Sequence, residues 1–508
     1  MRLDRQSMKH KVTTVALNAS IDKTCYVSAW SKGMVTRATE SIATAGGKGG
    51  IQVGQIKVLF WFDVEDFINP ESEEALLGLL DILDERGIVG IFKLVGEKIR
   101  VLERNGREDI LAKLRRHEIG YHTDWHSVHP VVTEYCEPLG FREGAESFLS
   151  REGGGFGDLA RITGRPVRCY GQPGQAWAPQ SFPALRRWGV EAYLDGHDQV
   201  SMNGRPFWYG GLLHLASLEG LMFMPLQDGA LDEAMAKFDR LCEKQRDEEV
   251  GFISIFYHPT EFVFEEFWDA VNFSEGRNPP KEQWVKPRFR PDGDTRKYLN
   301  RVGEFIDYTL TKPGVTYARS QEIVTMERSD RRPLSREEVV RFARQTGNEW
   351  GYVTDGALCL SASELFSTFR EYVAGADTPV PELLYGPERE VGDRIAKGGL
   401  VVVADVLEAL RKPMPEVLGY KHLPDSYAVG DSVLGPVTMA CTLAAIIGEG
   451  LRPEDAVVPR KGRLVPERHS ANGGEWAGYW SIFPTDFKAP NVVELSRLQT
   501  WTMKPAIF

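Results

Sequence analysis

Lys57-Val-Leu-Phe-Trp-Phe62 is followed directly by Asp63-Val-Glu-Asp66, so that a run of bulky apolar residues ends in three carboxylates. The apolar run has the length and composition of a strand that is buried on both faces of a sheet. In parallel α/β folds, catalytic and binding groups collect just beyond the carboxyl ends of such strands. We therefore predict a central strand that delivers acidic side chains to a functional site.

The sequence that follows alternates between helical and strand patterns. Apolar residues recur at helical spacing over residues 73–86, and Gly87 then suits a helix C-terminus. A strand is predicted over 88–95, a helix over 107–116 and a strand over 118–123. Alternation with short connections predicts right-handed βαβ units, and hence the α/β class with a mainly parallel sheet or barrel.

Three more polar groups follow predicted strands. They are His122-Thr-Asp-Trp-His126, Tyr170-Gly-Gln-Pro-Gly174 and His258-Pro-Thr-Glu261. Each group by itself has an ordinary structural explanation, such as a histidine-rich loop or a core histidine with satisfied hydrogen bonds. Because all of them follow apolar strands, we predict that they meet at one edge of the sheet.

The residue types at this edge suit a divalent metal. His122 and His126 are four residues apart, and one turn of helix after a strand would bring both rings to one face. A carboxylate would complete the ligand set and leave a position open for water. Either Glu65 or Asp66 could supply it, and both stay open here.

Such a site also has the groups for hydrolysis. A bound metal can lower the pKa of water toward about 7 and polarise an acyl carbonyl. Asp63 could then accept the proton of the water, and His258 could protonate the departing amine or alkoxide. These residues together predict hydrolysis of an amide or an ester.

The central region, residues 56–325, resembles the polysaccharide deacetylase superfamily (NodB homology, carbohydrate esterase family 4). His117-Glu-Ile-Gly-Tyr-His-Thr-Asp-Trp-His126 is similar to the family's His-Glu-Ile-Gly-x-His-Ser/Thr-x-x-His element. Asp63-Val-Glu-Asp66 and Tyr257-His-Pro-Thr-Glu-Phe262 are similar to a bacterial branch whose first motif is Asp-Val-Glu-Asp.

The resemblance implies a distorted (β/α) barrel of seven or eight units. It implies Asp63 as general base, His122 and His126 as metal ligands, and His258 as general acid. The expected substrate is an N-acetylated saccharide or a related metabolite. Zinc is the expected metal for two histidines and a carboxylate, with cobalt, nickel, manganese and iron as alternatives. A barrel that binds metal and carbohydrate without catalysis, and a hydrolase of a non-sugar amide, are the alternative functions.

The third motif departs from the family pattern. The family usually has Arg two residues before the proline, bonded to the catalytic carboxylate, whereas this chain has Gly171 before Pro173, and Arg168 lies three residues earlier. Loss of a neighbouring cation lets the pKa of a carboxylate rise. Either Arg168 or another cation compensates, or the pocket is tuned differently. Gln172, Pro173 and Gly174 are still expected at the substrate, with backbone N–H groups forming an oxyanion site.

Residues 1–55 resemble the start of a ribokinase-type sugar kinase. The similarity lies in Val15-Ala-Leu-Asn-Ala-Ser-Ile-Asp22, Gly33 and Ala45-Gly-Gly-Lys-Gly49, and the usual Asn after the last of these is replaced by Gly50. Val429-Gly-Asp-Ser432 is weakly similar to the catalytic Gly-Ala-Gly-Asp element of that family, but a Gly-Asp before a helix is more typical of an N-cap. We predict that Ala45–Gly50 is a structural turn or remnant.

A linker is predicted near residues 326–334, followed by a mainly helical accessory domain over residues 334–508. Its helices are expected at 336–346, 362–373, 400–411 and 437–448. The tail contains Trp476, Trp480 and Trp501, and core packing is the favoured interpretation for them over stacking on sugars.

Composition limits the partners. A net charge of −11 argues against a broad nucleic-acid-binding face, and we expect no nucleic-acid partner. The N-terminus has no secretory pattern and no window is long and apolar enough for a membrane span. The six cysteines are scattered without a close pair, which argues against a disulfide framework. We expect a cytoplasmic protein of two or three domains, and leave monomer and homo-oligomer open.

Overall fold

The computed structural model describes the greater part of the chain, with gaps. The described residues are 10–13, 21–27, 40–45, 55–215, 221–222, 228–471 and 480–508, and for those before residue 55 and for 221–222 only the backbone is described. The first three ranges form an antiparallel sheet of β1 (His10–Thr13), β2 (Ile21–Val27) and β3 (Glu40–Ala45). Residues 15–20, Gly33 and 46–50 lie outside the described residues, so the sugar-kinase resemblance stays a prediction.

Strands and helices alternate through the central region. The strands are β4 (Gln55–Val64), β5 (Ile91–Leu94), β6 (Glu118–Tyr121), β7 (Val167–Tyr170), β8 (Ala192–Tyr193), β9 (Phe207–Tyr209), β10 (Leu212–His214), β11 (Leu221–Met222), β12 (Val250–Tyr257) and β13 (Val315–Tyr317). The helices are α1 (Glu71–Glu85), α2 (Gly96–Arg104), α3 (Glu108–Leu114), α4 (Val132–Cys136), α5 (Phe141–Thr163), α6 (Phe182–Arg187), α7 (Ala230–Lys244), α8 (Trp268–Phe273), α9 (Asp294–Leu310) and α10 (Ser320–Met326).

The region after residue 334 mixes helices with short strands. In chain order its elements are α11 (Arg336–Gln345), β14 (Glu349–Trp350), β15 (Val353–Asp355), β16 (Leu358–Leu360), α12 (Ala362–Val373), β17 (Val401–Val402), α13 (Val403–Arg411), β18 (Glu416–Val417), β19 (Tyr420–Lys421), β20 (Tyr427–Val429), β21 (Ser432–Leu434), α14 (Pro436–Glu449), β22 (Ala456–Val457), β23 (Arg463–Leu464), α15 (Pro490–Leu498) and β24 (Lys504–Pro505). The four predicted helices are present within one or two residues, except that α13 begins three residues later than expected.

The central sheet is largely parallel. Its order is β11-β12-β4-β5-β6-β7-β8-β10-β9-β24, with β13 also paired to β4. All neighbours from β11 to β10 are parallel, and β9 and β24 are antiparallel additions. The edge strands β11 and β24 do not pair with each other among the described residues, so the sheet is open and curled. The α/β class is confirmed, and the number of barrel units stays a prediction.

Strand β4 lies inside this sheet and is buried along most of its length. Seven consecutive residues from Val58 to Val64 are buried, because β4 pairs with β12 along its length and with β13 and β5 at its two ends. Helix α1 covers one side with its leucines, and acidic residues in its first turn favour the positive end of the helix dipole. Gly87 follows α1 with a φ of 64°, in the left-handed region that suits a helix end.

The C-terminal boundary differs from the one predicted at residues 334–508. Residues 480–508 return to the central region, where Ile482, Val492 and Leu495 join its core and β24 pairs with β9. A second core forms between Leu334 and Leu464, and Trp501 completes it. The boundary was missed because sheet addition at an edge depends on backbone pairing, which leaves little pattern in a two-residue strand.

One smaller expectation also changes. Gly430 and Asp431 form the turn of the β20–β21 hairpin, whereas α14 begins only at Pro436 after Gly435, so the Gly-Asp pair is not a helix cap. The described cysteines are all unpaired, in agreement with the predicted absence of a disulfide framework: Cys136, Cys169, Cys242, Cys359 and Cys441. Among the described helices, none combines the length and the apolar character that crossing a bilayer requires.

A buried ion pair joins the returning segment to the second core. Lys504 on β24 contacts both carboxylate oxygens of Glu364 on α12, at 2.8 and 3.1 Å, and both side chains are at most 8% exposed. We predict that Lys504→Met lowers the free energy of unfolding by about 3–5 kcal/mol, because it leaves a buried carboxylate unpaired. The double variant Lys504→Met/Glu364→Gln should recover part of that loss in denaturant unfolding. An additive double variant would contradict the coupling.

Candidate active site

The polar groups at the strand ends meet as the sequence predicts. Asp63 is the second-last residue of β4, and Glu65 directly follows the strand. His122 follows β6, and His258 follows β12. These acidic residues and both rings are buried or nearly so, with His258 the most exposed at 18% of its side chain. The pocket therefore places ionisable groups in a low-dielectric environment.

The loop from His122 to His126 is not the helical turn that the four-residue spacing suggested. Thr123 and His126 have φ values of 65° and 52°, in the left-handed region. The hydroxyl of Thr123 accepts a hydrogen bond from the His126 backbone N–H at 3.2 Å and closes the loop. The two rings nevertheless converge, with centroids 5.1 Å apart. The prediction of a helical turn is wrong, but the two rings still come together.

Helix α5 holds this loop from outside. The Asp124 backbone N–H donates to Glu152 at 2.7 Å, and the Tyr121 hydroxyl donates to the same carboxylate at 2.6 Å. Gly155 on α5 permits the approach, because a Cβ there would lie 2.7 Å from the carboxyl carbon of Asp124. The strained loop is thus held by contacts with a helix that follows it in sequence.

Glu65 faces both imidazoles. Its Oε2 lies 2.7 Å from His126 Nε2 and 3.9 Å from His122 Nε2. Its Oε1 accepts a hydrogen bond from the indole N–H of Trp268 at 3.1 Å, which fixes the carboxylate plane. Burial alone would raise the pKa of Glu65, but the neighbouring histidines outweigh it and lower the pKa to about 2. Glu65 is therefore ionised and can bind a metal through a carboxylate oxygen.

Hydrogen bonds on the far side of each ring fix which nitrogen faces the cluster. His122 Nδ1 lies 2.9 Å from the carbonyl oxygen of Gly171, so it carries the proton. His126 Nδ1 lies 2.6 Å from the Ser127 hydroxyl, which itself donates to Asp269 at 2.8 Å. His122 Nε2 is left with a lone pair on the side of the cluster, and His126 Nε2 faces the Glu65 carboxylate at 2.7 Å. Orientation of ligand histidines through their second nitrogen is characteristic of metal sites.

These residues fit a divalent metal. Glu65, His122 and His126 offer ligand atoms that all lie within 4.8 Å of one another, and all three side chains are buried. Burial alone would lower the pKa of His126, but the Glu65 carboxylate, 2.7 Å from its Nε2, outweighs burial and raises the pKa. Two imidazoles and one carboxylate match the ligand set of catalytic zinc sites that keep an open position.

Asp66 is directed away from this cluster. Its Oδ1 accepts hydrogen bonds from the backbone N–H groups of Ile68 and Asn69 at 3.0 and 2.9 Å, and Thr260 donates to its Oδ2 at 3.3 Å. Burial raises the pKa of Asp66 to about 6 despite these hydrogen bonds. Of the two carboxylates that the sequence left open, the geometry favours Glu65, because its Oε2 faces both imidazoles, whereas Asp66 accepts hydrogen bonds from its own loop.

Asp63 lies between two cationic side chains. Lys93 Nζ is 2.9 Å from Asp63 Oδ1, and His258 Nε2 is 3.6 Å from Asp63 Oδ2. Burial alone would raise the pKa of Asp63, but basic neighbours outweigh it and hold the pKa below its ordinary value: His122, Lys93 and His258. Asp63 is thus an ionised carboxylate at neutral pH, next to the cluster but engaged with other groups.

A second set of acidic and imidazole groups is not a second metal site. Asp63, His122 and Asp195 also offer ligand atoms within 4.8 Å of one another. However, the ammonium of Lys93 already lies between the two carboxylates, at 2.9 Å from Asp63 and 2.5 Å from Asp195. A metal cation there would face that fixed positive charge at short range.

His258 is held in its charged form. Its Nδ1 lies 2.9 Å from Glu261 Oε2, and its Nε2 faces Asp63. Burial would lower the pKa of His258, but the carboxylates of Glu261, Glu65 and Asp63 outweigh it and raise the pKa to about 10. An imidazolium at this position is a proton donor whose N–H points into the site.

The third predicted group, residues 170–174, contributes mainly backbone atoms to the site. The side-chain amide of Gln172 donates to the carbonyl oxygens of Gly174 and Gly196 at 3.0 and 2.8 Å, and its carbonyl accepts from the Tyr193 hydroxyl. Gln172 therefore supports the loop instead of offering its side chain to a substrate. Pro173 and Gly174 lie at the pocket, and Gly174 has a φ of 43°. Arg168 bonds to Gly189 and Glu191, so it is not a cation for Asp63.

The C-terminal segment supplies a residue at the pocket. The half-buried indole of Trp480 lies against Gly174, where a Cβ would come within 2.5 Å of it. Its centroid is 5.9 Å from that of His126, in an edge-on arrangement. Core packing, which the sequence favoured for the tail tryptophans, holds for Trp501, which is buried in the second core, and for Trp480, which is partly buried and packs against the core of the central region. Trp476 lies outside the described residues.

Several site residues were not identified from sequence. Lys93 had a signal, because a charged residue stands in the middle of the otherwise apolar strand β5. Asp195 follows β8 in the same way that Asp63 ends β4, but β8 has only two residues and no distinctive pattern. Trp268 and Asp269 begin helix α8, far from the other site residues in sequence, and no local pattern links them to the loop.

Comparison with known proteins gives only distant similarities. No family model and no curated protein matches the chain. A family 4 carbohydrate esterase from Streptomyces lividans in complex with acetate is 12% identical, over 52% of this chain and 92% of that chain, with a TM-score of 0.29. A CE4 family pseudoenzyme from Bacillus anthracis is 12% identical, over 54% and 66%, with a TM-score of 0.29. A 4-alpha-glucanotransferase from Thermococcus litoralis is 16% identical, over 53% and 40%, with a TM-score of 0.36. The functional argument therefore depends on the residues of this chain.

The geometry separates the two candidate carboxylate ligands experimentally. We predict that Glu65→Gln weakens zinc binding by more than about 100-fold, because it removes a charged ligand. Asp66→Asn should change zinc affinity by less than about threefold, because its oxygens are used by the backbone of residues 68 and 69. Competition with a chelating dye measures both affinities. The reverse order of the two variants would identify Asp66 as the ligand.

The charged state of His258 predicts a pH dependence of stability. The pKa of His258 is raised to about 10 in the folded protein, from an ordinary value of 6.5. Its contribution to the free energy of unfolding is therefore complete below about pH 6.5 and is lost as pH rises toward 10. In metal-free protein, His258→Gln should flatten the decline of stability over this range. An unchanged slope in denaturant unfolding between pH 7 and 10 would contradict the assignment.

Proposed function

We propose that this protein is a divalent-metal-dependent deacetylase that hydrolyses the acetyl group of an N-acetylated saccharide or a related metabolite. The observation that carries the proposal is the convergence of Glu65, His122 and His126 beside Asp63 and His258. Three ligands, an ionised base and a protonated acid form the minimum set for hydrolysis of an unactivated amide. The resemblance of residues 56–325 to polysaccharide deacetylases agrees with the same chemistry.

Glu65, His122 and His126 would hold the metal, and zinc fits this ligand set best. When bound, the metal lowers the pKa of water and polarises the acyl carbonyl. The chain supplies the remaining steps. Asp63 accepts a proton from the water as the new carbon–oxygen bond forms. His258 donates its Nε2 proton to the amine nitrogen as the carbon–nitrogen bond breaks, so that acetate and an amine leave.

The protonation states support this division of roles. Asp63 is ionised and can accept a proton, because the groups around it hold its pKa low. His258 is protonated and can donate, because carboxylates surround it. Pairs of groups whose environments push their pKa values in opposite directions are typical of acid–base catalysis. The backbone N–H groups at Gly174 would face the developing oxyanion.

The position of Trp480 favours a substrate that contains a sugar ring. Its half-buried indole lies at the pocket beside His126, and an aromatic face with a polar edge is suited to the apolar face of a sugar. The proposal that the substrate is a saccharide depends on this residue and on the family resemblance. A hydrolase of a non-sugar amide would use the same metal ligands and the same acid and base.

The test is an acetate-release screen with zinc-loaded protein over N-acetylated sugars, oligosaccharides and simple acyl amines. We predict that Asp63→Asn and His258→Gln each lower kcat by about 10²- to 10⁴-fold while zinc affinity is retained. Asp81→Asn, which changes a half-exposed carboxylate on α1, is the matched control and should keep full activity.

The outcomes separate the candidate functions. Release of acetate from sugars alone supports the saccharide assignment, and release from simple amides alone supports the broader hydrolase. Sugar binding without acetate release at full zinc loading would contradict catalysis and establish a non-catalytic binding barrel.

A further inference from the structure

We propose that Lys93 is a positioning residue that orients Asp63 beside the metal ligands, with Asp195 and Trp61 holding its ammonium in place. This inference rests on the proposed function for its kinetic test. It concerns Gly171, which stands where the third motif of the family usually has an arginine. The positive charge comes instead from β5, a different strand of the sheet.

The ammonium of Lys93 is completely enclosed. The side chain is 0% exposed, and Nζ contacts Asp63 Oδ1 at 2.9 Å and Asp195 Oδ2 at 2.5 Å. It also lies 4.0 Å from the ring centroid of Trp61, which forms one wall of the enclosure. A buried ammonium needs a charged partner to replace its hydration, and an aromatic face adds to its stabilisation. Strand β5, the two carboxylates and the Trp61 ring together enclose a site for one cation.

The arrangement gives the two oxygens of Asp63 different partners. Oδ1 faces Lys93, whereas Oδ2 faces His258 at 3.6 Å. Asp195 is itself fixed, because its Oδ1 accepts the Gly196 backbone N–H at 2.8 Å. A carboxylate held through one oxygen keeps the other at a constant angle to the reacting groups, which is the condition for efficient proton transfer.

Gly171 leaves free the space that the Lys93 ammonium occupies. A Cβ at position 171 would clash with Lys93 Nζ and would lie 2.7 Å from both Asp195 Oδ2 and the carbonyl oxygen of Leu194. The ammonium therefore occupies the space into which any side chain at position 171 would project. Lys93 and Gly171 thus form a matched pair, since a cation on β5 requires a glycine at the end of β7.

The matched control for a variant at Lys93 is another buried lysine. Lys98 on α2 is 2% exposed and contacts Glu73 at 3.1 Å, so Lys98→Met also removes a buried cation from a carboxylate. It is not in contact with Asp63 in the structure described. Any loss of activity that follows merely from destabilisation should therefore appear in both variants.

We expect Lys93→Met to lower kcat by about 100-fold or more, with KM and zinc affinity changed less than about threefold. Lys98→Met should keep kcat within about threefold. Asp195→Asn, which keeps the ammonium but weakens its support, should lower kcat by about tenfold, and it serves as the test if Lys93→Met does not fold.

An activity-independent measurement distinguishes failure of this inference from failure of the proposed function. In metal-free protein, the double-mutant cycle of Lys93→Met and Asp63→Asn should show a coupling of about tenfold in the unfolding equilibrium constant. If the wild type releases no acetate from any substrate, the proposed function fails and the cycle alone decides whether Lys93 holds Asp63. Unchanged kcat in Lys93→Met, an equal loss in Lys98→Met, or an additive cycle would overturn the inference.

Discussion

The fold of the central region depends on keeping two carboxylates ionised inside it. Asp63, near the end of β4, and Glu65, directly after it, are both buried, and an unpaired charge there costs several kcal/mol. The negative charge of each carboxylate is compensated in a different way. Asp63 is neutralised by Lys93 on the neighbouring strand, and Glu65 faces two imidazoles that leave room for a metal. Parallel strands make both forms of compensation available, because their carboxyl ends meet at one edge of the sheet.

The rest of the molecule holds these groups in position. Helix α5 fixes the left-handed loop between the two histidines through Glu152, and helix α8 supplies Trp268 and Asp269 behind Glu65 and His126. The C-terminal segment crosses back from the second core and places Trp480 at the pocket. Groups held by supporting hydrogen bonds keep the geometry that catalysis requires, which is why the support comes from elements far apart in sequence.

Local pattern predicted most of the elements and failed at particular ones. The apolar run before Asp63 and the leucine spacing of α1 gave a correct strand and helix, since burial imposes their periodicity. The spacing of His122 and His126 suggested a helical turn, yet the loop uses two residues of positive φ, and no sequence period records that conformation. The choice between Glu65 and Asp66 became evident only from the folded site, where Glu65 faces both imidazoles and Asp66 is bonded to backbone N–H groups.

The sequence by itself determined the α/β class, the strand ends at which polar groups collect, and the identity of the two histidines and the acidic cluster. Local sequence determines these features, because an apolar run and the residues directly after it are neighbours in the chain. The tertiary structure alone decided that Lys93 replaces the missing third-motif cation, that Asp195 supports it, and that Trp480 reaches the pocket. Charge compensation and packing act through space, so partners such as Lys93 and Asp195, which are separated by two strands of the sheet order, leave no joint pattern in the sequence.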